Sequence, residues 1–169
     1  MMRVFGIVGW KNNGKTTLVV HLVERLIGAG LRVSTIKHAH HECDVDRPGK
    51  DSFRHREAGA TEVMLATSRR WMLVHELRDE PEPELDELLA KLAPVDLVIV
   101  EGFKRHQHPK IEVHRQERGT PLLALEDQSI VAVASDEPIP GCPVPVFGLD
   151  DVETAAAIVL RELELRGVA

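Results

Sequence analysis

Short apolar runs alternate along the chain with longer stretches in which apolar residues recur at the spacing of a helix. Unbroken apolar runs rich in β-branched residues predict strands of a parallel sheet, and the helical spacing predicts helices that cover it. The predicted strands of this sheet are 4–8, 31–37, 96–100, 111–114, 130–134 and 146–148. The predicted helices are 18–27, 51–58, 84–92 and 151 to about 166. The pattern therefore predicts an α/β fold, a mostly parallel sheet flanked by helices, in a single domain over 1–169.

Two more apolar segments, 61–66 and 70–75, are separated only by Thr67, Ser68 and Arg69. A connection this short cannot carry a parallel crossover, so we expect an additional antiparallel hairpin.

Polar residues before the helices are the expected caps, Asp51 or Ser52 for the second helix and Asp150 or Asp151 for the last. The segment 115–127 follows neither period and is expected to be a loop.

The turn between the first strand and the first helix matches G-x-x-x-x-G-K-[ST], the phosphate-binding P-loop. Glycines let the backbone wrap around phosphates, and the helix that begins near Lys15 adds the positive end of its dipole. We expect Lys15 to reach the outer phosphates and the Thr16 hydroxyl to bind Mg²⁺. The predicted nucleotide-binding residues of this turn are Gly9, Trp10, Lys11, Asn12, Asn13, Gly14, Lys15, Thr16 and Thr17.

The buried strand 96–100 runs into Glu101, as a Walker B strand runs into its carboxylate. A carboxylate there can hold Mg²⁺ or orient water, so Glu101 is a candidate metal ligand with Thr16 and a candidate catalytic residue with Lys15. The alternative is a strand that simply ends in a solvated glutamate.

Asp136 follows the late strand 130–134, a place from which P-loop proteins often recognise guanine. A carboxylate can accept both the N1 proton and the N2 amino group of guanine, and adenine offers no such pair. Asp136 is therefore the candidate base-binding residue, and a plain turn aspartate before Pro138 is the alternative.

The segment that follows the strand 31–37 is dense in polar and ionisable side chains and lies where α/β sheets place ligands. The residues predicted to contact a substrate or partner are Lys37, His38, His40, His41, Asp44, Asp46 and Lys50. With Cys43, the same residue types would also suit zinc or nickel, although their spacing is poor for a closed tetrahedral site.

The formal net charge of −6 argues against a general nucleic-acid or membrane-surface binder. No apolar run approaches the roughly 20 residues that span a bilayer, and the N-terminus has no signal-peptide pattern. We therefore expect a cytoplasmic protein, in which a disulfide between the two cysteines is not expected.

Taken in order, five stretches resemble the MobB family of adapter proteins in molybdopterin-guanine dinucleotide biosynthesis. They are Gly-Trp-Lys-Asn-Asn-Gly-Lys-Thr-Thr, Lys-His-Ala-His-His, Asp-Val-Asp-Arg-Pro-Gly-Lys-Asp-Ser, Val-Glu-Gly-Phe-Lys and Val-Ala-Ser-Asp-Glu-Pro. The resemblance implies a P-loop NTPase fold, binding of GTP with Mg²⁺, at most weak GTPase activity, and a homodimer whose sheet is extended by strands of both chains.

The same resemblance implies several partners: a MobA-type molybdopterin guanylyltransferase, molybdoenzymes, and molybdopterin or its guanine dinucleotide. Related metallochaperone GTPases often carry a lysine at the second P-loop position, where this chain has Trp10, and its lysine is one position later at Lys11.

Two other classes stay open on the residues alone. One is a metallochaperone GTPase that carries zinc or nickel on His38, His40, His41 and Cys43. The other is a P-loop small-molecule kinase whose 38–50 segment holds the acceptor.

Overall fold

The computed structural model describes residues 2–39 and 46–164. The strands are β1 Arg3–Val8, β2 Val33–Lys37, β3 Glu62–Ala66, β4 Trp71–His75, β5 Leu97–Glu101, β6 Lys110–His114, β7 Ile130–Ser135 and β8 Val146–Gly148. The helices are α1 Lys15–Gly28, α2 Asp51–Glu57, α3 Leu85–Ala90 and α4 Val152–Glu162, with 3₁₀ helices at Gln116–Arg118 and Leu123–Leu125. The chain divides into two compact units, 1–38 with 85–169, and 39–84. The single domain over 1–169 stays a prediction.

The first unit is built on a six-stranded sheet in the order β2-β5-β1-β6-β7-β8, and every neighbouring pair in it is parallel. All five residues of β5 are buried. Leu97 and Ile99 pack on one face with α1 and α4, whereas Val98 and Val100 pack on the other face with α3. The unbroken apolar run therefore predicted correctly a central strand with both faces covered.

Of the two predicted N-caps, that of α4 is confirmed and that of α2 is wrong. Asp151 caps α4 as expected, because its carboxylate accepts the backbone N–H of Thr154 at 3.0 Å. The predicted cap of α2 by Asp51 or Ser52 is wrong: Lys50 occupies that position without a side-chain hydrogen bond. The Ser52 hydroxyl donates to the buried Asp46 carboxylate instead, at 2.9 Å, because a buried carboxylate needs donors more than an exposed helix end does.

The second unit consists of α2 and the antiparallel hairpin β3–β4, which confirms the predicted hairpin. Arg56 of α2 lies between two carboxylates of this unit. Its Nη1 is 2.6 Å from Glu76, just after β4, and its Nε is 3.5 Å from Asp46. The pairing ties α2 to the strand and to the segment that precedes it.

Candidate functional site

The predicted phosphate loop lies between the end of β1 and the start of α1, so strand, loop and helix have the order that a P-loop needs. Two of its glycines are required by geometry. A Cβ at Gly9 would lie 2.3 Å from the Val113 carbonyl oxygen of β6, which no real side chain tolerates. Gly14, just before α1, has φ +102°, a conformation that side chains rarely adopt.

Three hydrogen bonds join the phosphate loop to β6 and to the segment that follows β6. The buried Asn13 amide donates to the Val113 carbonyl at 3.0 Å, and Arg115 Nε donates to the Asn13 carbonyl at 3.3 Å. The Trp10 indole N–H donates to the Pro121 carbonyl at 2.8 Å. The loop is thus held by β6 and by the segment after it.

A buried carboxylate in turn positions that segment. Glu112 of β6 is fully buried and accepts the backbone N–H groups of Leu123 and Ala124 at 3.0 and 2.9 Å. Burial raises the pKa of Glu112, and the two N–H groups oppose that shift. The segment 115–127, expected to be a loop, therefore contains a short helix that is capped by a strand residue.

The Lys15 side chain folds back onto the phosphate loop. Its ammonium group donates to the Trp10 carbonyl at 2.8 Å. Partial burial lowers the pKa of Lys15, which Glu101 opposes and the nearby Lys104 and Lys37 reinforce. An ammonium group that is partly desolvated and surrounded by other cations favours an anion, which is the condition for binding phosphate.

Thr16 and Glu101 meet at the end of β5. The Thr16 hydroxyl donates to Glu101 Oε1 at 2.9 Å, and the Lys37 ammonium group lies 3.4 Å from the same oxygen. The hydroxyl and the carboxylate are hard oxygen ligands of the type that Mg²⁺ prefers, and a cationic group already lies against them. The side chains present at this point therefore fit a magnesium ion, which Thr16 and Glu101 would hold.

Asp136 lies just after β7 and lines a cavity of about 460 Å³ whose other walls include Pro138, Ile139 and Phe147. Its Oδ1 accepts the backbone N–H of Gln116 at 3.0 Å. That hydrogen bond, more than any other contact, lowers the pKa of Asp136, so the side chain is a carboxylate at neutral pH. The cavity combines apolar walls with a fixed carboxylate.

The predicted substrate segment is divided by the structure. Lys37 and His38 lie at the end of β2, where the His38 backbone N–H donates to the Glu101 carbonyl at 2.9 Å and the His38 ring lies 4.6 Å from the Phe103 ring. Asp46 and Lys50 belong to the second unit. His40, His41, Cys43 and Asp44 lie outside the described residues. Within 2–39 and 46–164, no group of three or more His, Cys, Asp or Glu side chains is placed to hold a metal ion.

Two basic residues near the loop were not predicted as part of the site. The Lys104 ammonium group lies 3.9 Å from the centre of the Trp10 ring, and burial lowers the pKa of Lys104. Arg115 contacts Asn13 and comes within 4.0 Å of Asp136. Arg115 directly follows β6, and Lys104 lies in the turn that begins after Glu101 at the end of β5. Position after a strand, rather than charge, is the sequence signal, since ligands bind at the carboxyl ends of parallel strands.

The parallel sheet, the glycine-bounded loop between β1 and α1 and the carboxylate at the end of β5 define a P-loop α/β protein. The MobB family, described as molybdopterin guanine dinucleotide synthesis protein B, matches residues 4–136, and the chain belongs to this family. The fold prediction and the predicted membership are both confirmed, and with them the prediction of an adapter in molybdopterin guanine dinucleotide biosynthesis.

Named relatives cover most of the chain. The molybdopterin-guanine dinucleotide biosynthesis adapter protein of Escherichia coli (strain K12) is 38% identical over 167 residues, 97% of this chain and 95% of that protein. The protein of the same name from Haemophilus influenzae is 44% identical over 139 residues, 80% of this chain and 76% of that protein. The X-ray structure of a MobB protein homolog from Bacillus stearothermophilus has a TM-score of 0.73 at 31% identity, covering 98% of this chain and 100% of that one.

The described residues contain no helix with the length and apolar character needed to cross a bilayer.

Proposed function

We propose that this chain is a GTP-binding adapter of molybdenum cofactor biosynthesis that binds GTP together with Mg²⁺ in its phosphate loop. The observation that carries the proposal is the 2.9 Å contact between Thr16 and Glu101. It brings the hydroxyl of the loop and the carboxylate of β5 to one point, as binding of a metal-bound triphosphate requires. The names of the relatives support the pathway.

The triphosphate binds in the loop 9–17. Backbone N–H groups between Gly9 and Gly14 and the first turn of α1 surround it, and Lys15 leaves the Trp10 carbonyl to neutralise its outer phosphates. Thr16 and Glu101 would hold Mg²⁺, which would supply positive charge next to the phosphates. Lys104 adds a further positive charge beside Trp10.

Guanine binds in the cavity beside Asp136. Oδ1 accepts one backbone N–H, and a carboxylate has lone pairs to spare for the N1 and N2 protons of guanine. Adenine presents an acceptor at N1, so it cannot supply this carboxylate with the pair of donors that guanine offers. The fixed carboxylate therefore supports GTP over ATP.

Hydrolysis of GTP is weak at most. The Glu101 carboxylate, the candidate for orienting water, lies 2.9 Å from the Thr16 hydroxyl and would be engaged with it in holding Mg²⁺. A carboxylate engaged in this way is poorly suited to accept a proton from water. Lys15 and Glu101 are thus catalytic residues of a slow reaction, and binding is the main task of the site.

The adapter acts in the cytoplasm with a MobA-type molybdopterin guanylyltransferase and with molybdoenzymes that receive molybdopterin guanine dinucleotide. Lys37 and His38 stand at the carboxyl end of the sheet. The residues proposed to contact molybdopterin or a partner are Lys37, His38, His40, His41, Asp44, Asp46 and Lys50. The net charge of −6 gives no support to a role on nucleic acid or at a membrane surface.

The protein also forms a homodimer, and the hairpin supports this proposal. Met64 and Leu73 are opposite each other on one face of β3–β4, next to Trp71, and their exposed fractions are 62%, 41% and 65%. A two-stranded sheet is marginal by itself, and clustered exposed apolar side chains mark interaction sites. A second copy of the chain would cover this face.

Calorimetric titration with GTP, ATP and inorganic triphosphate, each with Mg²⁺, tests the proposal. We expect the affinity for GTP to be well above the affinity for ATP. Lys15→Ala should abolish binding of both GTP and triphosphate. Asp136→Ala should weaken GTP binding by about tenfold to a hundredfold, the worth of a hydrogen bond to a charged group. It should leave triphosphate bound, with only the smaller loss that follows from releasing Arg115.

Asp150→Ala is the matched control, because Asp150 is an exposed aspartate outside the site. Equal affinity of the unmodified protein for ATP and GTP would refute the guanine assignment, and binding of GTP by Lys15→Ala would refute the phosphate assignment.

A further inference from the structure

The strand register places Lys37 at the proposed magnesium position. Lys37 is paired with Glu101 across β2 and β5, so both side chains leave the sheet on the same face at its carboxyl end. The Lys37 ammonium group donates to Thr16 Oγ1 at 3.2 Å and lies 3.4 Å from Glu101 Oε1. One ammonium group thus contacts both oxygens that would bind the metal.

These contacts differ from an ordinary surface ion pair. The Glu101 side chain is only 10% exposed, and a nearly buried carboxylate needs a cation or several donors. Lys15 donates its hydrogen bond to the Trp10 carbonyl and acts on Glu101 through its charge alone, without a hydrogen bond to the carboxylate. Lys37 supplies the positive charge, and its own side chain, 58% exposed, is free to move toward water.

The ammonium group and a metal ion would use the same lone pairs. The Thr16 hydroxyl donates its proton to Glu101 and accepts a hydrogen bond from Lys37 through the oxygen. A magnesium ion would bind that same oxygen and the same carboxylate. Two cations on one pair of oxygens repel each other strongly at such separations, so only one of them can occupy the position.

We propose that Lys37 is a positioning residue that competes with magnesium. Its ammonium group holds Thr16 and Glu101 together before the metal binds and must leave when the metal arrives. This inference rests on the proposed metal-dependent nucleotide site. It gives Lys37 a role distinct from a contact with substrate or partner.

Titration of the nucleotide-free, full-length protein with Mn²⁺, followed by electron paramagnetic resonance, tests the competition. We expect Lys37→Met to bind Mn²⁺ about thirtyfold more tightly than the unmodified protein, the scale for removal of one unit charge about 4 Å from a divalent ion in a water-like dielectric. Lys37→Arg keeps the charge and should retain the weak binding. Lys91→Met is the matched control, because Lys91 is an exposed lysine outside the site, and it should change nothing.

Adding Glu101→Gln to Lys37→Met should remove the gain and thereby locate the metal on the Glu101 carboxylate. Unchanged or weaker Mn²⁺ binding in Lys37→Met, or a gain that survives Glu101→Gln, would overturn the proposal.

Failure of the Lys37 proposal can be distinguished from failure of the proposed nucleotide-binding function. If the unmodified protein binds no GTP while Lys37→Met gains affinity for Mn²⁺, the nucleotide proposal fails and the competition stands. If GTP binds as proposed and Lys37→Met shows no gain, the competition alone fails.

Discussion

Gly9 is the residue of the phosphate loop with the least room for change, because the Val113 carbonyl of β6 lies where its Cβ would be. In Gly9→Ala the loop must move away from β6, and the geometry for triphosphate is lost. We expect GTP affinity to fall by at least a hundredfold, a larger effect than the loss of stability, when calorimetry and urea denaturation are compared.

Gly28→Ala is the control for this variant, since Gly28 lies at the end of α1 and a Cβ there would have no neighbouring atom within 4 Å. It should bind GTP normally. Normal GTP binding by Gly9→Ala would contradict the required close approach.

His108 links stability to pH. Its ring lies against Gly6 of β1, and burial, aided by Lys110 and His106, lowers the pKa of His108 from 6.5 to about 4. The unfolded chain therefore takes up a proton before the folded chain does. Stability is complete above about pH 6.5 and is lost progressively as the pH falls toward about 4.

Replacement of this ring should flatten the acid side of the stability profile. Because the ring is only partly buried, we expect His108 to account for roughly 1 to 2 kcal/mol of the loss between these pH values. Urea denaturation of the unmodified protein, His108→Asn and the exposed control His21→Asn at a series of pH values measures it. An equal slope in His108→Asn and in the unmodified protein would exclude His108 as the cause.

At the scale of elements, substitutions in the hairpin β3–β4 test the proposed homodimer. Trp71→Glu or Leu73→Glu places a charge on the exposed apolar face, and a dimer that buries this face should dissociate because the charge loses its water. Sedimentation velocity over a range of concentrations measures the change.

The control is Leu125→Glu, which introduces the same charge at an apolar residue that is 67% exposed in the first unit. A protein that is monomeric at all concentrations, or hairpin variants that remain dimeric, would refute this interface.

Elements whose apolar residues recur with a regular period were predictable from sequence. Elements that depend on contacts with residues far away in the sequence were not. Strand β5 and hairpin β3–β4 follow directly from apolar patterning and turn length. The short helix at Leu123–Leu125 depends on Glu112, a buried carboxylate in a preceding strand, and no local pattern encodes that contact.

The candidate site shows the same division. The P-loop residues and Glu101 could be selected because motif and strand position identify them. Lys104 and Arg115 could not be selected from charge alone, because their importance arises from contacts with Trp10 and Asn13 that exist only in the folded sheet. The cap of α2 was mispredicted for a similar reason, since the buried Asp46 binds Ser52.

At the scale of the whole molecule, ligand binding should stabilise the native state. A ligand that binds only folded protein adds about 2.7 kcal/mol to the free energy of unfolding at a hundred times its Kd. We expect GTP with Mg²⁺ to raise the midpoint of thermal unfolding, and ATP to do so less at the same concentration. Differential scanning calorimetry measures both.

Lys15→Ala should unfold at the same temperature with and without GTP, since its loop cannot retain the triphosphate. A GTP-dependent rise in this variant would place the stabilising site elsewhere on the protein.

Arg115 reaches in two directions, to the Asn13 carbonyl at 3.3 Å and to within 4.0 Å of the Asp136 carboxylate. One guanidinium group is therefore shared between the part of the protein assigned to phosphate and the part assigned to base. An attempt to change the base preference from guanine to adenine by replacing Asp136 alone would release Arg115. The P-loop backbone would then be held less firmly. A successful redesign of base preference has to supply Arg115 with a new acceptor in the same step.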